Sequence, residues 1–95
     1  MKILALEKEI PGTREELIIL LLKEEAQKVW NLQQVGIIRE IYFTKDTQEA
    51  VIILECKDEA DAKNILETLP LVKAKLIRFE IKPLIAYDGF ERLFT

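Results

Sequence analysis

Four glutamates, Glu7, Glu40, Glu55 and Glu80, and two arginines, Arg39 and Arg78, fall on segments that alternate apolar and polar residues. They are the groups with which this sequence could do chemistry. The chain has no His, which removes the usual general base near neutral pH, Ser-His-Asp and Cys-His constellations, the common haem ligand and most zinc sites. A carboxylate can replace imidazole as a base if burial and like-charge neighbours raise its pKa by a couple of units. Arg39 or Arg78 would then anchor a substrate carboxylate or a developing enolate, and Tyr42 is a weaker proton donor. For each of these groups an ion pair across an interface, such as Arg78 with Glu80 of another copy, is the competing assignment. Neither a metal nor a cofactor is expected.

These residues sit in a regular order of elements. A strand over 2–8 ends at "IPGT", where Pro11 and Gly12 break pairing. Thr13 and Glu16 have capping-box spacing and predict a helix over 14–35, which Gly36 ends. Strands at 37–44 and 49–56 flank the short polar link "KDTQ" and form a hairpin. Asp58 caps a second helix that runs to about 69, with Ala60, Ala62, Ile65, Leu66 and Leu69 at helical spacing, and Pro70 stops it. A last strand covers 75–83, and 84–95 is a C-terminal packing tail on a single domain, 1–95. The order β-α-β-β-α-β predicts an α+β, ferredoxin-like fold, a four-stranded antiparallel sheet with two helices on one face.

One sheet face is therefore uncovered. The larger apolar set, Leu4, Leu6, Ile52, Leu54, Ile77, Phe79 and Ile81, is assigned to the helix side. Ile3, Ala5, Glu7, Val51, Ile53, Glu55, Leu76, Arg78 and Glu80 go to the open side, a mixture that calls for a partner surface with room for polar contacts. A four-residue loop, 45–48, pairs Tyr42 with Val51 and adds Ile38, Glu40 and Tyr42 to that side; a slip by one would substitute Arg39, Ile41 and Phe43.

Association has a second argument. "LIILLL", residues 17–22, is apolar all round, whereas a helix on one sheet needs a stripe only about 100° wide. The run ends at Lys23, Glu24 and Glu25, far short of the roughly 20 apolar residues of a membrane span. A homodimer or higher homo-oligomer is expected, unless the tail, with Tyr87, Phe90, Leu93 and Phe94, folds back over the surplus. With 14 basic against 17 acidic residues and no basic cluster, nucleic acid is not a partner, and neither is a membrane. Cys56, the only cysteine, reads as a small buried thiol. The opening "MKILALEKEI" acquires Glu7 and Glu9 where a secretory leader would stay apolar, so a cytoplasmic location is expected.

From Leu32 to Leu84 the chain resembles muconolactone delta-isomerase, of the dimeric α+β barrel superfamily. The likeness rests on Gly36 followed by Arg39, the pair Tyr42-Phe43, the acidic strand end at Glu55, and "LETLPLV" followed by "LIRFEIKPL". Glu40 stands where that family places a His, and Phe43 where a second Arg would be expected. The resemblance implies sheets that pack face to face in a dimer, with a pocket for a small acidic or lactone-like compound at the interface. It also implies a proton-shifting isomerase of an unsaturated lactone, with Glu55 as the leading base. The alternative is a non-catalytic homo-oligomer of the same fold, either structural or binding a small organic ligand. A cavity of several hundred cubic ångströms holding two or more carboxylates would favour the enzyme.

Overall fold

The computed structural model describes residues 1–95. The elements run β1 (Lys2–Glu9), α1 (Glu15–Gln34), β2 (Ile38–Phe43), β3 (Ala50–Glu55), α2 (Glu59–Leu66), the one-turn α3 (Pro70–Lys73), β4 (Ile77–Leu84) and a 3₁₀ turn, Gly89–Phe94. The strands form one antiparallel sheet in the order β2-β3-β1-β4. Leu32 of α1 and Ala62 and Leu66 of α2 share a core cluster with Ile3, Ala5, Ile52 and Leu54, so both helices cover the same sheet face. The expected α+β fold is the one observed.

The helix ends follow local chemistry, with two differences from expectation. Gly36, at φ +83°, ends α1 in a Schellman arrangement: its N–H reaches Gln33 O and that of Ile37 reaches Leu32 O, both at 3.0 Å. Asp58 caps α2 by accepting from Asp61 N at 2.8 Å. Thr13, however, does not cap α1. Its hydroxyl lies against the carbonyls of Ile10 and Leu76 and ties the loop to the start of β4, while Glu16 accepts instead from the Arg14 guanidinium. Nor does Pro70 simply stop α2. That helix ends at Leu66, and Pro70 opens α3, at a position where its missing N–H costs nothing.

Register corrects the assignment of faces. Ala5 pairs with Ile52 and Ile81, and Ile3 with Leu54, so Ile3, Ala5 and Glu7 share the helix-covered side with Ile52, Leu54, Phe79 and Ile81. Leu4 and Leu6, expected under the helices, lie on the open face with Val51, Ile53 and Glu55. Leu76 precedes β4 and is buried with Leu71 and Ile77 beneath Ile18 and Leu21, not on the open face. The hairpin does pair Tyr42 with Val51. A bulge at Arg39 then moves Ile38 to the helix side, opposite Leu54 and 1% exposed, while Glu40 and Tyr42 stay on the open side.

Leu54 is fully buried in the larger cluster. Leu54→Ala is expected to lower unfolding free energy by about 2–5 kcal/mol, through lost burial plus the cavity left behind; urea denaturation at fixed protein concentration measures it. On α1, Leu21 packs inward, whereas Ile19 and Leu20 are 63% and 74% exposed. Leu21→Glu is therefore expected to unfold the chain at any concentration, and Leu20→Glu to weaken self-association and lose stability only as the assembly dissociates on dilution. Circular dichroism melts combined with light scattering separate the two effects. The tail does not fold back over α1: Ile85, Tyr87, Phe90, Leu93 and Phe94 are all exposed, with Tyr87 and Phe90 stacked edge to face. The radius of gyration, 15.4 Å, exceeds the about 13 Å of a compact chain of this size, as a tail held off the body requires. No helix is long and apolar enough to cross a membrane.

Candidate active site

Helix α1 meets the sheet chiefly along β2 and rests at its other side on α3. Between these supports it spans a gap. The result is a cavity of about 880 Å³, with Ile41, Phe43, Ala50, Ile52 and Phe79 as floor and Ile18, Leu22, Val29 and Trp30 as roof. Ile19, Trp30 and Phe43, the most exposed of its large apolar lining residues, mark the open side. A smaller depression of about 310 Å³ on the outer side of α1, around Gln27, Asn31 and Thr68, has no apolar wall.

Two carboxylates enter the larger cavity from opposite walls. The inward stripe of α1 reads Ile18, Leu22, Glu25, Val29, Leu32, a helical repeat with a glutamate in an apolar position. Glu25 Oε1 accepts from Leu71 N at 2.9 Å. That N–H belongs to the first turn of α3 and has no partner within its own helix. Glu7 continues the alternation Ile3, Ala5 along β1. The β1–β3 pairing ends at Leu6 and Val51, and Glu7 Oε1 takes the next donor, Ala50 N, at 3.0 Å.

Burial pushes the Glu25 carboxyl above the ordinary glutamate value; the Leu71 N–H opposes this, and the negative charge of Glu7 adds to it. Glu15 is a third carboxylate on the rim, and no Lys or Arg lines the cavity. Trp30, Gln33 and Gln48 supply N–H donors. Aromatic walls, a carboxyl of raised pKa and a few donors make a chamber that can hold a small ring and move a proton on it.

Of the residues singled out in the sequence, only Glu7 reaches this chamber. The others lie on or beside the open sheet face, on the opposite side of the sheet from this cavity. Glu55 accepts from the Met1 ammonium at 3.4 Å. Glu80 lies between Lys82 (3.2 Å) and Lys8 (3.6 Å), which hold its carboxyl below the ordinary range, Lys82 contributing most. Tyr42 donates to Glu40 at 2.7 Å, and this bond raises the phenol. Arg39, the bulge residue, donates to Gly36 O at 2.6 Å, and Arg78 is exposed on β4. The Cys56 thiol is half-buried and pushed up, first by burial and then by Asp61, the opposite of an activated nucleophile.

Glu25 was missed because Lys23, Glu24 and Glu25 read as the solvated end of an apolar run. The available signal was its place seven residues after Ile18 and seven before Leu32, on the stripe that faces the sheet.

No family model matches the chain, and no curated protein matches it. Solved structures do. The 5-chloro-2-hydroxyhydroquinone dehydrochlorinase of Burkholderia phenoliruptrix, in complex with 2,5-dihydroxybenzoquinone, aligns with a TM-score of 0.73 over 94% of this chain and 98% of that one, at 18% identity. Muconolactone isomerase aligns with a TM-score of 0.73 over 94% of this chain and 93% of that one, at 14% identity. At such identities the likeness is one of fold.

Proposed function

We propose that this chain is an enzyme of the muconolactone isomerase-like group, shifting a proton between two positions of a small unsaturated lactone or related ring compound held beneath α1. The observation that carries this reading is Glu25, a carboxyl raised by burial and by Glu7 at the wall of a cavity of about 880 Å³. The names of the two structural neighbours, one of a muconolactone and one of a hydroxylated, chlorinated ring, support a small cyclic substrate.

In this reading Glu25, as carboxylate, removes a proton from a ring carbon next to the carbonyl. The electron pair moves into the conjugated system, and the resulting carboxylic acid returns the proton at the far carbon. No external reactant is needed. A raised pKa makes Glu25 the stronger base, and N–H donors from Trp30, Gln33 or Gln48 meet the developing enolate oxygen. Glu40, Glu55 and Glu80 are assigned to pairing between copies, because each already meets a hydroxyl or a cation on the open face. There Leu4, Leu6, Val51 and Ile53 form an apolar centre ringed by those charges, suited to a homodimer built sheet to sheet, with the tail packing on the partner copy.

Turnover of a panel of unsaturated lactones in deuterated water tests the reading. Deuterium should enter at the donor or acceptor carbon as the double bond moves. Because the active form is the carboxylate, kcat/KM should rise with pH through a midpoint above the about 4.3 of a free glutamate. No exchange into any ring of the panel would overturn the proposal.

A further inference from the structure

The charge of the cavity wall limits what can enter it. Glu7, Glu15 and Glu25 line the chamber and no Lys or Arg does, so a ligand carboxylate would meet like charge in a partly desolvated space, with no cation to receive it. Each inner carboxylate spends one oxygen on a backbone N–H, Glu7 on Ala50 and Glu25 on Leu71. The second oxygen of each makes no hydrogen bond within the chain and remains an acceptor. Phe43, Phe79 and Trp30 offer flat apolar contact around these acceptors. Acceptors without cations, set among aromatic rings, match hydroxyl donors on an uncharged ring.

We infer that the chamber selects uncharged ring compounds bearing hydroxyl groups and rejects ring compounds carrying a free carboxylate. This rests on the reading of the cavity as the substrate site and narrows its substrate class. It reverses the expectation, drawn from the arginines, that the ligand is an acid: Arg39 is bound to Gly36 O outside the cavity, and Arg78 is on the other sheet face.

The test uses matched rings at pH 7: methyl 3,4-dihydroxybenzoate, 3,4-dihydroxybenzoate and methyl 3,4-dimethoxybenzoate. Binding is followed by calorimetry and by the fluorescence of Trp30, the only tryptophan and a wall of the cavity. The dihydroxy ester should bind at least about tenfold more tightly than the acid, and blocking its hydroxyls should weaken it by a similar factor. In Glu7→Gln/Glu25→Gln, whose amide oxygens can still accept from Ala50 N and Leu71 N, the ester-to-acid ratio should fall toward one. If that variant does not fold, Glu15→Gln, at an exposed rim position, should lower the ratio by a smaller factor. Equal or tighter binding of the acid, no Trp30 response to any of the rings, or an unchanged ratio in the variants would overturn the inference. Selective binding without proton exchange into any lactone would overturn the proton-shift reading and leave this one standing, whereas turnover with a preference for the acid would do the reverse.

Discussion

Glu25→Gln is expected to reduce turnover by about 10²–10⁴-fold, the usual contribution of a positioned acid–base group, while leaving the fold intact. The amide oxygen can still accept from Leu71 N, so α3 keeps its partner. Stability should respond in a direction opposite to activity. The folded-state pKa of Glu25 is raised, so the native state holds its proton more tightly than the unfolded chain does. The associated stability is fully present below the unfolded value of about 4.3 and is lost as pH rises through the higher folded value. Glutamine has no proton to lose, so the variant should be as stable as wild type or more stable above that window. Parallel denaturation curves across pH, alongside rate measurements, test both halves. An inactive variant that was also strongly destabilised at neutral pH would show that Glu25 is structural.

Ile53→Asp should have the second large effect. Ile53 is half-buried at the centre of the open face, opposite Leu4 across the β1–β3 pair. If two copies close this face, the substitution buries an unpaired carboxylate among apolar side chains, at a cost of several kcal/mol. Because the separated chain would expose that apolar centre together with Ile19 and Leu20, dissociation should be coupled to loss of structure. Sedimentation equilibrium on wild type should find no folded monomer at micromolar concentration, and the variant should be monomeric and poorly folded. A wild-type monomer, or a variant of unchanged mass and stability, would remove the sheet-to-sheet dimer.

The order of elements was legible because each has a strong local signal: alternation in the strands, Gly36 after α1, Asp58 before α2 and a short polar link in the hairpin. The faces of β1 were not. Ile3 and Ala5 alternate with Leu4 and Leu6, so both faces are apolar and periodicity gives no preference. Choosing the bulkier pair for the interior inverted the strand and placed Glu7 on the wrong side. The bulge at Arg39 likewise has no composition signal, yet it decides where Ile38 points. The site was less legible still, because it depends on a gap that exists only once α1 rests on β2 and α3. α3 itself hid behind Pro70, read as a stop and found to be the first residue of a helix. Glu25 looked like the start of a solvated charge run until that gap was seen to lie beneath it.

The central claim is that Glu25 is a half-buried carboxyl whose pKa is raised by burial in the cavity wall and by the charge of Glu7. Carbon-13 NMR titration of the side-chain carboxyls, with Glu25 assigned through Glu25→Gln, measures this directly. The midpoint for Glu25 should lie above the free value of about 4.3, and it should move down in Glu7→Gln, which removes the neighbouring negative charge. A Glu25 midpoint at or below the free value, unmoved by the loss of the Glu7 carboxylate, would contradict the account.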